Sequence, residues 1–345
     1  MATPILRVVD LSVTFPSRDG DVKAIDRLSL ELFPDEVLGV VGESGSGKSV
    51  TSLSILRVLP KHSRIEGGSI LFRDGTSEID LANVPDDGPE VRAIRGRRIS
   101  MIFQEPMSAF SPLHTIGNQI GEAVALHNLP QGLSRREGRV EVRRQTLDLL
   151  RSVGMPNPEQ LIDSYPHQLS GGMRQRALIA MGLACHPAIL IADEPTTALD
   201  VTLQAQVITL LARLRHERRM SIILVTHDLG VIAEIADRVL VMYLGREMES
   251  APVDALFHNP QHPYTRALMK SMPTISGPIS ALVPIDGTVP NSNDLPQGCR
   301  FQTRCPERLS GLCDVYEPTV VQVTPEHRVS CFVAGSPRPD EVQGD

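Results

Sequence analysis

Leu6–Phe15 alternates in part between apolar and polar positions, and Ala24–Leu32 does so again. A period of two is the mark of strands with one buried face. Glu36–Val41 is a short run of the kind buried on both faces. A glycine-rich turn follows, then a helical stretch from Lys48 to Val58 that stops at Pro60. From about Glu105 to Ala180 the pattern turns helical, and Val142, Leu147, Leu149, Leu150 and Val153 suit one amphipathic helix closed by Gly154. Strand signals return at Ala188–Ala192, Ser221–Thr226 and Arg238–Met242. Between them Asp200 caps a helix whose apolar face is Leu203, Val207, Leu210, Leu211 and Leu214.

Strands alternating with helices predict an α/β fold with a mostly parallel, covered sheet. The helical block falls between the two groups of strands and reads as an inserted subdomain. Thr274–Gly298 is rich in Pro, Gly, Ser and Asn and reads as a linker or loose wrap, and the last dozen residues read as disordered.

The composition is that of an ordinary globular chain: 345 residues, 41% hydrophobic, 22% charged. A net charge of −7 disfavours a nucleic-acid partner. Arg92, Arg95, Arg97 and Arg98 read as a solvated surface run. No apolar run approaches the ~18–20 residues that span a bilayer, and the first residues do not read as a signal peptide. The expectation is a cytosolic chain that reaches a membrane only by docking on other subunits.

Gly42-Glu43-Ser44-Gly45-Ser46-Gly47-Lys48-Ser49 fits G-x-x-x-x-G-K-S in full, after a predicted strand and before a predicted helix. Its glycines let backbone N–H groups converge on phosphates, and the helix N-terminus adds positive potential. Lys48 suits β/γ-phosphate charge, and the Ser49 hydroxyl suits Mg²⁺. Ala188–Ala192 leads into Asp193 and Glu194, one carboxylate for the metal shell and one to take a proton from water. Leu169-Ser170-Gly171-Gly172-Met173 opens a helix carrying Arg174 and Arg176. Alone it could be an ordinary cap; beside a complete phosphate loop it suggests a second nucleotide contact.

The ordered set resembles the ABC-type ATPases over about residues 5–258. It runs through the phosphate loop, Gln104 in Phe103–Pro106, the signature Leu169–Met173, Asp193-Glu194, Asp200 in Ala198–Asp200, and His227 in Val225–Asp228. The resemblance implies a P-loop domain with a RecA-like sheet core, an antiparallel β subdomain and an inserted helical subdomain at about 105–180. It also implies two ATP, with Mg²⁺, sandwiched in a head-to-tail pair, each between one subunit's phosphate loop and the other's signature. Glu194 is then the general base, and His227 positions the γ-phosphate and water. Gln104 senses the γ-phosphate and the membrane subunits, and contributes with Ser49 and Asp193 to the Mg²⁺ shell. Asp200 acts across the dimer. Phe15 either stacks on adenine or is a core residue of its strand.

Met101–Met107, Ser170–Arg176, Ala192–Val201, Leu256–Pro260 and His262–Thr265 narrow the resemblance to the ATP-binding subunits of dipeptide and oligopeptide importers. Met173, where Gln is commonest, resembles the first of the two different ATPase subunits of such importers. The implied partners are a second, different ABC ATPase subunit, two transmembrane permease subunits and, indirectly, an extracytoplasmic substrate-binding protein. The implied location is peripheral, on the cytoplasmic face of the membrane. Docking is expected near Gln104–Thr115, with Phe110 and Leu113 as apolar contacts. Relatives that carry nickel or glycosides leave the cargo open. A soluble ABC ATPase acting on DNA or ribosomes calls for coiled-coil heptads, a basic face or two fused cassettes, and none is visible. A non-hydrolysing regulatory subunit calls for a lost carboxylate or histidine, and Glu194 and His227 are both present.

Four of the five cysteines, Cys299, Cys305, Cys313 and Cys331, lie near the C-terminus. In a reducing cytosol they suggest a metal site in a small extension at 259–345, following an ATPase domain at 1–258. Their spacing leaves open a tetrahedral zinc site, a [4Fe–4S] cluster or four reduced thiols. The importer resemblance favours [4Fe–4S], with Zn²⁺ as the alternative. Arg300, Arg304 and Arg308 either offset cluster charge or are solvated. Cys185 reads as a core residue, and His327 as a surface residue or substitute ligand.

Overall fold

In a computed structural model, the structure describes residues 3–17, 20–104, 109–128, 130, 132–197, 199–271, 285–291 and 294–338. Residues 105–108 of the expected docking segment, Ala198, most of the expected linker and the 339–345 tail lie outside the described residues. The chain forms two compact units, residues 1–83 with 225–345, and residues 84–224.

In the first unit, β1 (Leu6–Phe15), β2 (Val22–Leu32), β4 (Arg64–Asp74) and β5 (Ser77–Asp80) form an antiparallel sheet in the order β2-β1-β4-β5. Leu6, Val8, Leu11 and Val13 of β1 are buried. Their spacing slips by one residue after Val8, where the register shifts and Asp10 takes a positive φ of 47°. That bulge is why the alternation in the sequence is only partial.

A second strand layer in this unit is built on β3 (Val37–Val41), β9 (Arg238–Tyr243) and β10 (Arg246–Pro252). β3 and β9 pair in parallel, and β10 turns back antiparallel. All five residues of β3 are buried, as its unbroken apolar run requires. Helix α8 (Leu229–Ile235) lies so close that a Cβ on Gly39 would sit 2.5 Å from Ile232. Helix α1 (Lys48–Ile55) follows the glycine-rich turn.

The C-terminal residues belong to this same unit. Helices α9 (Val253–His258) and α10 (Pro263–Lys270) follow β10, and β12 (His327–Val329) and β11 (Val321–Thr324) extend its sheet. Glu249 is wholly buried, where a bare carboxylate would be costly. It accepts the Gln261 and His262 N–H groups at 2.7 and 2.9 Å, and pairs with His327 at 2.7 Å. His327 is therefore a buried partner of Glu249, and the surface or ligand role read from the sequence is corrected. Ser336 is buried too, its hydroxyl donating to the Thr319 carbonyl at 2.7 Å, so order runs into the stretch expected to be disordered.

Asp26 ties the C-terminal region to β2. Its carboxylate meets Lys23 and Arg300 at 2.7 Å and Arg246 at 2.5 Å.

The second unit holds β6 (Ile99–Ile102), parallel to β7 (Ile189–Asp193), with β8 (Ser221–Val225) on the other side of β7. Its helices are α2 (Pro89–Ile94), α3 (Ile116–His127), α4 (Arg135–Ser152), α5 (Pro158–Leu161), α6 (Gly171–Gly182) and α7 (Val201–Arg218). A capping box of Ser134 and Glu137 starts α4, which buries Leu149 and Leu150 and ends before Gly154 as its pattern predicts. Cys185 is buried, and its thiol meets the Ala123 carbonyl at 3.5 Å. Among the described residues no helix is long and apolar enough to cross a membrane.

Burial raises the pKa of Asp26, but Lys23 and Arg246 outweigh it and hold the group at about 2. A folded pKa below the unfolded value means stability that is full above about pH 4 and is lost as pH falls toward 2. Asp26→Asn is expected to destabilise the chain by roughly 3 kcal/mol at pH 7 in urea unfolding. The gap between the variant and the natural chain should narrow between pH 4 and 2; a gap independent of pH contradicts this account.

Candidate functional site

The phosphate-type loop runs from the end of β3 to the start of α1. Gly42 has φ 155°, and a Cβ there would stand 2.2 Å from the Met242 carbonyl oxygen. Gly47 caps α1 at φ 99°, and its Cβ would stand 2.7 Å from the Ala24 carbonyl oxygen. A side chain at either position would push the loop off the sheet, so both glycines are required. Lys48 is buried and its ammonium donates to the Gly42 and Glu43 carbonyls at 2.7 and 3.0 Å and to the Ser46 hydroxyl at 3.4 Å. Ser44, Gly45 and Ser49 face outward. Backbone N–H groups at a helix start, one cation and one hydroxyl form a cradle for a phosphate chain.

Glu43 is held at both ends. Its N–H donates to the Tyr264 hydroxyl at 2.9 Å, and its carboxylate takes a two-pronged contact from Arg304 at 2.6 and 3.0 Å. In the same unit, Phe15 is half-buried at the end of β1, outside the fully buried set of that strand. His227 is exposed just after β8, and Asp228 caps α8 by accepting the Gly230 N–H at 2.8 Å.

In the second unit, Asp193 ends β7 and is buried. Glu194 follows with a positive φ of 47°. Such strain costs on the order of 1–3 kcal/mol and persists where neighbours impose it. Here Gln104 Nε2 and the Thr197 hydroxyl both donate to Glu194 Oε2 at 2.8 Å. Gln104 and Glu194, 90 positions apart in sequence, are thus brought together. Thr197 was missed; its only signal is its place three residues after Glu194.

Ser170 caps α6, its hydroxyl accepting the Met173 N–H at 3.3 Å. The space beside Gly171 is open, whereas Gly172 packs against Leu203. Arg176 donates to the Val153 carbonyl at 2.6 Å and to the Gln206 side-chain oxygen at 3.1 Å. Asp200 is exposed and caps α7 through the Leu203 N–H at 3.0 Å. Phe110, expected on the docking surface, is buried, while Leu113 is 80% exposed.

Cys299, Cys313 and Cys331 are buried and Cys305 is half-buried. Burial, with a smaller contribution from the neighbouring cysteines, pushes the Cys299 thiol up to about 12 and Cys305 up to about 11. Backbone N–H groups of Phe301, Glu307 and Ala334 oppose this at Cys299, Cys305 and Cys331, and the Leu309 N–H points to the Cys313 sulfur at 3.4 Å. Four sulfurs with backbone N–H groups beside them are donors of the kind a soft metal takes, although burial favours the neutral thiol form of Cys299, Cys305 and Cys331. They are not a formed centre: among the described residues no three His, Cys, Asp or Glu side chains are grouped so as to hold an ion. Ser49 and Asp193 are oxygen donors of the kind Mg²⁺ takes.

Residues 25–197 match the family described as ABC transporter, and residues 248–313 match the oligopeptide/dipeptide transporter C-terminal region. The dipeptide transport ATP-binding protein DppD of Bacillus subtilis is 45% identical over 330 residues, covering 95% of this chain and 94% of that protein. A putative peptide import ATP-binding protein of Brucella ovis is 46% identical over 337 residues, covering 95% and 97%. Among solved structures, the ATP-binding cassette MJ0796, dimeric in a post-hydrolysis state with ADP and Pi, aligns at TM-score 0.62 and 25% identity, over 72% of this chain and 98% of that one. The structure of cbiO1 from Clostridium perfringens, part of the ABC transporter complex cbiONQ, aligns at TM-score 0.60 and 26% identity, over 74% and 91%.

Proposed function

The chain belongs to the ABC transporter ATP-binding family, in its oligopeptide/dipeptide branch, and we propose that it is the ATP-hydrolysing subunit of an importer of di- and oligopeptides. The observation that carries this is the complete phosphate loop at Gly42–Ser49 in a chain that also has the peptide-transporter C-terminal region.

Each residue then has a role. The loop's N–H groups and Lys48 hold the β- and γ-phosphates, and Phe15 stacks on adenine. Ser49 and Asp193 supply oxygen ligands to Mg²⁺, with Gln104 near that shell; the ion, when bound, offsets phosphate charge. Glu194 takes the proton of the attacking water at its carboxylate, which Gln104 and Thr197 orient. His227 positions the γ-phosphate and water. Ser170, Gly171, Gly172 and Met173 contact the ATP held by a partner subunit, and Asp200 acts across that interface. Closure of the pair on ATP drives two membrane permease subunits, which an extracytoplasmic binding protein supplies with peptide. Met173 supports a partner that is a different ATPase chain. The chain then works at the cytoplasmic face of the membrane. We read residues 1–258 as the ATPase domain, with the helical subdomain at about 105–180, and 259–345 as an extension.

In that extension we infer a metal site on Cys299, Cys305, Cys313 and Cys331, [4Fe–4S] in preference to zinc. Four thiols on one segment and the N–H groups directed at their sulfurs support it.

Glu194→Gln is expected to bind ATP within about twofold of the natural chain and to hydrolyse it about a thousandfold more slowly. Near-normal turnover in a steady-state phosphate-release assay would remove Glu194 as the base. Anaerobic purification should yield a brown protein with about four irons per chain. One zinc and no colour points to the alternative, and absence of both metals overturns the inference.

A further inference from the structure

Arg304 stands one residue before Cys305, yet its side chain serves the phosphate loop. Glu43 is the only acidic residue in Gly42–Ser49, and Lys48 the only basic one. Nη1 and Nη2 of Arg304 reach the two oxygens of Glu43 at 2.6 and 3.0 Å. The pair is shielded from water, with the Arg304 side chain 3% and that of Glu43 25% exposed.

The guanidinium is fixed from several sides. Nε donates to the Asp286 carbonyl at 3.0 Å, and Nη1 donates to the Tyr243 hydroxyl at 3.3 Å. It also lies 5.8 and 6.0 Å from the Tyr243 and Phe301 ring centres, within cation–π range. Phe301 packs edge-on to Tyr243 at 5.5 Å. Tyr264, 5.2 Å from Phe301, accepts the Glu43 N–H. Glu43 is thus gripped at backbone and carboxylate by residues that lie some 200 or more positions downstream.

We propose that Arg304 is a positioning residue of the nucleotide site, lent by the C-terminal extension to cancel the one carboxylate charge within the phosphate loop. A triphosphate carries several negative charges, and a bare carboxylate in the same shielded loop opposes its binding. The paired carboxylate does not, and the forked contact holds it on the guanidinium. The extension therefore completes the ATP site. The proposal rests on reading residues 42–49 as that site.

Equilibrium binding of a fluorescent ATP analogue with Mg²⁺ to the purified full chain tests this. Failure of the natural chain to bind would sink the phosphate-loop reading itself. Given binding, Arg304→Met is expected to weaken it about tenfold, and less so at high salt. The double variant Glu43→Gln/Arg304→Met, which removes both charges, is expected to bind within about twofold of the natural chain. A merely structural tie predicts the opposite for the double variant, with loss equal to or greater than that of Arg304→Met. Unchanged binding in Arg304→Met, or no recovery in the double variant, overturns the proposal. Should Arg304→Met fail to fold, the double variant, with no unpaired charge, decides alone: a tenfold loss there contradicts charge cancellation.

Discussion

A cradle made of backbone N–H groups has no side chains of its own to keep its shape, so its surroundings must do so. At Gly42 and Gly47 the backbone presses against the Met242 and Ala24 carbonyls, leaving no room for a Cβ. Those carbonyls belong to β9 and β2, so both strand layers of the first unit set the curvature of the loop. The fully buried β3 delivers the chain to this point, and α1 carries it away with its N-terminus facing the cradle. The unit's other features brace that arrangement.

The C-terminal extension is part of the brace. The stretch between Cys299 and Cys305 contributes Arg300 to Asp26 on β2, Phe301 to the Tyr243 and Tyr264 rings, and Arg304 to Glu43. Glu249 and His327 add a buried hydrogen bond of 2.7 Å between β10 and β12. Burying so many charges is tolerable because each contact is two-sided or saturated, and removing one partner would strand the other. A region that reads as an appendage is joined to the phosphate loop by the Arg304–Glu43 pair, and to the strands around it by the Arg300–Asp26 pair, ring contacts and strand hydrogen bonds.

Much of the site was legible because its chemistry is local. The G-x-x-x-x-G-K-S spacing, the strand ending at Asp193, and the caps at Ser170 and Asp200 each lie within a few residues, where periodicity and capping act. β4, β5, β6, β10, β11 and β12 gave no strand signal in the sequence. Gly67 and Gly68 interrupt β4, and the edge strands are short or mixed in polarity, so pairing partners far along the chain decide them. The Asp10 bulge hid half of the alternation of β1. Arg304 was seen only as a charge beside cysteines, since its partner Glu43 lies 261 positions away. His327 was misjudged for the same reason, its partner Glu249 being 78 positions distant. Gln104 was recognised through resemblance, while the 2.8 Å contact that ties it to Glu194 belongs to the fold.

The most direct measurement is ATP hydrolysis by this chain assembled with its partner ATPase and permease subunits in lipid nanodiscs, with and without peptide-loaded binding protein. The account predicts hydrolysis that rises when peptide-loaded binding protein is added on the opposite face. Hydrolysis indifferent to peptide, or stimulated instead by nucleic acid or ribosomes, would contradict it.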